Sequence, residues 1–217
     1  MKNNILKEAK RRRIQSILFI AIPLFGLIWF LFSLLTRIGI LPNEITFFIS
    51  PIFSAMLFIF AVALAISCRG VLSIMGGILL AILMFIDTAI AIINSITVSL
   101  FQSGVETEIL IGILSVSNIV YTVIALFIMI AYALLASGTK FSILFRLTII
   151  AYGVINFIFT VISILVPVAS GTTHTDLTFL NDTLYIMRQA INLLTAAVCI
   201  VEFSIANKQI KTLRAQQ

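Results

Sequence analysis

Residues 71–98 read VLSIMGGILLAILMFIDTAIAIINSITV, and this stretch decides the fold class. It exceeds the ~20 apolar residues that a helix needs to cross the ~30 Å hydrocarbon core of a bilayer. One carboxylate, Asp87, lies deep inside it. A charge at that depth costs roughly 2.5–3.5 kcal/mol on insertion scales, so we expect groups on other helices to compensate Asp87.

The composition of the whole chain agrees with this stretch. Of 217 residues, 61% are hydrophobic and 10% are charged, and the mean hydropathy is +1.22. Soluble domains carry roughly 25% charged residues, so lipid must replace water around most of this chain. The short alternating segments typical of a membrane β-barrel do not occur in the sequence. The sequence therefore predicts an all-α, polytopic integral membrane protein.

Six apolar runs divide the chain, and each is long enough to span a bilayer. We predict six transmembrane helices with short loops in one bundle, at about 14–36, 45–67, 71–98, 109–136, 141–168 and 183–206. Basic segments at 1–13 and 207–217 flank this single domain.

The charges between the runs predict the orientation. Most basic groups outside the runs, including Arg69, Lys140 and the basic tail, fall on the side of the N-terminus. The other side receives Glu44, Glu106, Glu108, Asp176 and Asp182, with Arg37 as its exception. Because Lys and Arg stay on the cytoplasmic side, we expect N-in and C-in, in a bacterial plasma (inner) membrane.

The net charge of +6 has the same topological explanation. Lys7, Lys10 and Arg11 in the N-terminal segment are expected to meet anionic lipid headgroups at the cytosolic face. Nucleic-acid binding is not expected. Protein subunits or further copies of the chain remain open as partners.

Four charged residues lie inside the predicted helices. Asp87 and Arg188 fall roughly 16 and 8 Å from the outer ends of their helices at 1.5 Å per residue, which predicts an ion pair. Glu202 and Arg146 also have matching depths, nearer the inner side, and form a second predicted pair. Such pairs either lock helices together or belong to a solute or ion pathway, and both interpretations stay open.

Polar side chains recur at helical spacing on four of the runs. The sixth run carries Arg188, Asn192, Thr195, Cys199 and Glu202 on one face. The fifth run repeats the pattern with Thr148, Tyr152, Asn156, Thr160 and Ser163. Asn94 on the third run and Asn118 and Thr122 on the fourth complete the set. These groups are expected to face the bundle interior, as a wet cavity or as interhelical hydrogen bonds.

Small residues at spacing four predict which helices pack closely. Ser73, Gly77 and Ala81 form a ridge on the third run, and Ala61 and Ala65 form one on the second. Small side chains let helix backbones approach, so these two helices are expected to be neighbours.

Motifs for catalysis, metals and cofactors are absent from the sequence. It contains no H-E-x-x-H, G-x-S-x-G, P-loop or C-x-x-C pattern. His174 with Asp176 and Asp182 is too sparse a set for a metal site, and we predict no metal and no cofactor. Cys68 and Cys199 lack metal-ligand spacing.

Two functions remain, and they differ in what fills the bundle. The first is a transport protein, either a channel or a small-solute permease or binding subunit, with a polar path formed by the third, fourth, fifth and sixth helices. The second is a non-transporting structural, assembly or immunity-type subunit of a larger membrane complex. A hollow interior near Asp87, Asn156 and Asn192 would favour transport, and a filled interior would favour the second function.

Overall fold

The computed structural model describes residues 2–103, 107–137, 141–170 and 178–215. Within these ranges the chain forms six α-helices and no strand. They are α1 (Lys2–Arg37), α2 (Asn43–Ser67), α3 (Val71–Gln102), α4 (Thr107–Ser137), α5 (Ile143–Ser170) and α6 (Thr178–Ala215). The predicted all-α fold with six transmembrane-length helices is confirmed.

Helices α1 and α6 are longer than the apolar runs on which they were predicted. They contain 36 and 38 residues, which corresponds to about 54 and 57 Å, well beyond the ~30 Å hydrocarbon core. The basic segments predicted as flanks continue these two helices without a break. Lys, Arg, Glu and Gln are good helix formers, and Arg12 and Arg13 in the first extension donate hydrogen bonds to Gln209 and Asn207 in the second.

The helices form a closed ring. Each helix packs against the helices before and after it in the chain, and α1 packs against α6 to close the circle. In the described parts of the chain, helices on opposite sides of the ring, such as α3 and α6, make no backbone contact. Space is therefore available along the axis of the ring.

The predicted packing of α2 against α3 is confirmed. A Cβ atom built on Gly77 would stand 2.8 Å from the Cα of Ala65, so only glycine permits this approach. Ser73 and Ala61 of the same two ridges are also buried. Gly76, the preceding residue, faces the backbone of α4 in the same way, with Ala131 O at 2.8 Å from a Cβ built there. Two adjacent glycines thus bring both neighbours against α3.

The outer surface of the ring is apolar. Ile66 and Val71 are 81% and 75% exposed, and large aliphatic side chains continue along the outward faces of all six helices. Such a belt is unstable in water and matches acyl chains. The protein is an integral membrane protein.

Candidate functional site

A cavity of about 590 Å³ lies inside the ring, and all six helices contribute to its wall. It combines apolar side chains with two opposite charges and several neutral polar groups. The polar wall consists of Ser50, Ser54, Asp87, Tyr121, Tyr152, Asn156, Thr160, Ser163, Tyr185, Arg188, Gln189 and Asn192. A smaller cavity of about 240 Å³ adjoins it and shares Tyr152, Asn156, Thr160 and Arg188.

Arg188 lines both cavities from α6. Its guanidinium donates a hydrogen bond from Nη2 to the Thr160 hydroxyl of α5, at 3.2 Å. The phenol groups of Tyr152 and Tyr185 are its other electrostatic neighbours. Neutral oxygens thus surround this cation.

Asp87 lines the larger cavity from α3. Ser54 of α2, which is itself buried, is a polar neighbour of this carboxylate. Tyr121 of α4 lies close to the same carboxylate. The environment of this anion is therefore neutral as well.

The predicted ion pair between Asp87 and Arg188 is not formed. Both side chains line one cavity, but over the described ranges the ion pair with an N–O distance within 4 Å is Arg12–Glu202. The reason is the order of the helices around the ring. Helices α3 and α6 are not neighbours, and residues at the same depth on opposite helices do not meet. Arg188 instead donates to the Thr160 hydroxyl of α5, and Asp87 lies near Ser54 of α2.

A buried hydrogen-bond chain forms part of the cavity wall at mid-span. Tyr152 Oη donates to Asn192 Oδ1 at 3.1 Å, and Asn192 Nδ2 donates to Gln189 Oε1 at 3.0 Å. Gly26 of α1 makes room for this chain, since a Cβ there would stand 2.6 Å from Asn192 Nδ2. Both amide groups are fixed, so this wall is preorganised.

The end of the bundle that carries both chain termini, here called the basic end, is packed differently. Glu202, which is 1% exposed, forms an ion pair with Arg12 of α1. The Ser142 hydroxyl also donates to Glu202 Oε2 at 2.7 Å. Matching depth along the two helices predicts an ion pair of Glu202 with Arg146. The N-terminal extension of α1 brings Arg12 to Glu202 instead, and Arg146 lies one turn after Ser142 at the start of α5.

An aromatic layer separates this ion pair from the cavity. It consists of Phe19, Phe141 and Phe145, all almost completely buried, with ring centroids 4.2 to 6.1 Å apart. The cavity wall ends at Ile22 of α1 and Tyr152 of α5. Phe19 lies one helical turn beyond Ile22, and Phe145 two turns beyond Tyr152, on the side of the basic end. The cavity therefore stops at this layer.

Only some of the predicted lining residues line the cavity. Tyr152, Asn156 and Asn192 line the cavity. Thr195 is buried one turn beyond Asn192, toward the basic end, and Thr122 lies outside the wall. Asn94 accepts a hydrogen bond from Ser117 of α4 at 2.9 Å. The side chain of Asn118 lies outside the described residues.

Sequence reasoning missed several wall residues. On α4 it selected the face of Thr122, whereas the interior face carries Tyr121, Ala125 and Ile128, about one residue away. Gln189 directly follows Arg188 in an apolar helix and could have been identified as a second interior polar group. Ser54 and Gly26 had no comparable signal, because small residues occur on lipid-facing and interior faces alike.

No group of three or more potential metal ligands occurs in the part of the chain that the structure describes. His174 and Asp176 of the predicted sparse set lie outside it. Both cysteines are buried and unbridged. No protein-family model, curated protein or solved structure matches this chain.

Proposed function

We propose that this protein is a membrane transport protein whose central cavity binds a small polar solute. The observation that carries the proposal is the cavity of about 590 Å³ with walls from all six helices and charges of both signs. Intramembrane ionisable groups that face a cavity mark solute or ion pathways by default. A subunit that served only to hold a complex together would have no need of such a space.

The packing at the basic end favours a carrier over an open channel. The aromatic layer and the Arg12–Glu202 pair close the axis of the ring there. A carrier holds its solute near the bilayer midplane and opens alternately to either side, so a structure closed at one end fits one stage of such a cycle.

For the orientation, we propose that the basic end faces the cytosol of a bacterial cell. Arg69, Lys208, Lys211 and Arg214 supply its positive charge. Basic groups next to membrane spans are retained on the cytoplasmic side. The same groups suit anionic headgroups of the inner leaflet.

Uptake into proteoliposomes tests the proposal. Purified protein is reconstituted, and radiolabelled amino acids, sugars, nucleosides and vitamins are each offered under an imposed ion gradient. We expect protein-dependent uptake of one of these classes. Ala125→Phe places a large ring in both cavities and should abolish that uptake without loss of folded protein.

Ala151→Phe is the matched control, because Ala151 is exposed on the outer face of α5. It should transport as the unchanged protein does. Uptake no greater than in empty liposomes for all four classes would contradict the proposal and favour a non-transporting subunit. Equal uptake by the Ala125 variant would move the path away from this cavity.

A further inference from the structure

The two charges of the cavity are held apart, and this separation has a chemical meaning. Asp87 lies near the Ser54 hydroxyl of α2, and Arg188 donates to Thr160 of α5. A carboxylate offers about four acceptor sites, and a guanidinium has five N–H donors. One neutral hydroxyl satisfies only a small part of either group.

A structural role would bring these charges together. Placing a charge in the membrane interior is costly, and direct pairing is the usual way in which proteins offset that cost. Arg12 and Glu202 follow that solution at the basic end of the same molecule. Asp87 and Arg188 face one cavity without pairing, so their opposite charges are both available to a molecule that enters it.

We propose that the cavity is a binding site for a zwitterion, namely an amino acid with a large apolar side chain. Its carboxylate binds the Arg188 guanidinium, and its ammonium group binds the Asp87 carboxylate. This inference rests on the proposed function and names the substrate class of that same site. An anion alone would leave Asp87 without a counter-charge, and a cation alone would leave Arg188 without one.

The aromatic part of the cavity wall favours an amino-acid ligand with an apolar side chain. Phe25, Trp29 and Phe53 line the same cavity from α1 and α2, and the Phe53 ring contacts each of the other two edge to face. Aromatic walls with a few placed polar groups are typical of small-molecule sites. The fixed amides of Asn192 and Gln189 add neutral hydrogen-bonding groups beside Arg188.

A matched set of probes tests the charge requirement. L-phenylalanine and L-leucine carry both charges, 2-phenylethylamine lacks the carboxylate, and 3-phenylpropanoate lacks the ammonium group. Affinities are measured by calorimetry on purified protein in detergent. We expect a zwitterion to bind at least about tenfold more tightly than either singly charged analogue, since a hydrogen bond to a charged group contributes that much.

Two variants should change this preference in opposite directions. Asp87→Asn should lose about tenfold in affinity for L-phenylalanine and bind 3-phenylpropanoate at least as well. Arg188→Gln should likewise come to accept 2-phenylethylamine. Thr88→Val is the control, because Thr88 bonds to its own helix at Met84 O and does not line the cavity. Unfolding in detergent verifies that each variant is folded.

The outcomes separate this inference from the proposed function. The absence of L-phenylalanine and L-leucine binding, or equal binding of the singly charged analogues, overturns the zwitterion assignment. If a sugar, nucleoside or vitamin is then taken up by proteoliposomes, the transport function stands and the substrate class is wrong. If no solute is taken up, both fail.

Discussion

Opposite charges are arranged differently at the basic end of the bundle and in the cavity. At the basic end, Arg12 and Glu202 form an ion pair, and the Ser142 hydroxyl donates a hydrogen bond to the same carboxylate. A layer of three packed phenylalanines separates this pair from the cavity. In the cavity, Asp87 and Arg188 do not pair, and Arg188 donates to the Thr160 hydroxyl instead. The opposite charges at the basic end are therefore paired, whereas those in the cavity are not.

The largest effect is expected at the basic end. Arg12→Ala leaves the Glu202 carboxylate buried without its counter-charge, and breaking a buried pair typically costs about 3–5 kcal/mol. We expect a loss of this size in the free energy of unfolding in detergent. Combining Arg12→Ala with Glu202→Gln should recover much of it. Arg13→Ala is the control, since Arg13 makes only a long contact to Asn207 at 3.4 Å; additive losses for Arg12 and Glu202 would contradict the pairing.

A much smaller coupling is expected in the cavity. Asp87→Asn and Arg188→Gln should change the free energy of unfolding independently, with a coupling below about 0.5 kcal/mol. Each change removes an unpaired charge from the membrane interior, so neither should match the loss expected for Arg12→Ala. A double-mutant cycle measures the coupling. A value as large as that of Arg12 and Glu202 would show that the two charges pair directly in the bilayer.

The smallest effect concerns thiol reactivity in the turn between α2 and α3. Burial raises the pKa of the Cys68 thiol, and because the thiolate is the reactive form, less of it is present at neutral pH. In permeabilised vesicles of a Cys199→Ser variant, maleimide should label Cys68 slowly and faster as the pH rises. In a background lacking both native cysteines, a cysteine replacing exposed Arg69 should react quickly.

The same labelling measures orientation. An impermeant maleimide should reach Ile40→Cys, in the exposed turn after α1, from outside intact cells. Arg69→Cys should react only after permeabilisation. The opposite pattern would reverse the proposed topology, and rapid labelling of Cys68 at neutral pH would contradict its burial.

Part of the candidate site could be identified without the structure. Helical spacing predicted one interior face of α6, which consists of Arg188, Asn192, Thr195, Cys199 and Glu202. Arg188 is partly buried, and the other four side chains are almost completely buried. Helical periodicity fixes which side chains share a face. It does not fix which face of a neighbouring helix lies opposite. For this reason the predicted lining residue of α4 is Thr122, whereas the residue that lines the wall is Tyr121.

The amino-acid sequence alone establishes that this chain forms six helices in lipid, because runs of more than ~20 apolar residues have no other stable state in a bilayer. It also determined which residues carry charge within those helices. How those charges combine depends on the packing of the helices. Depth along a helix follows from counting residues at 1.5 Å each, but lateral neighbours depend on the closure of the ring, which places α1 beside α6 and α3 across from it. Arg12 therefore meets Glu202, while Asp87 and Arg188 are left facing a shared cavity.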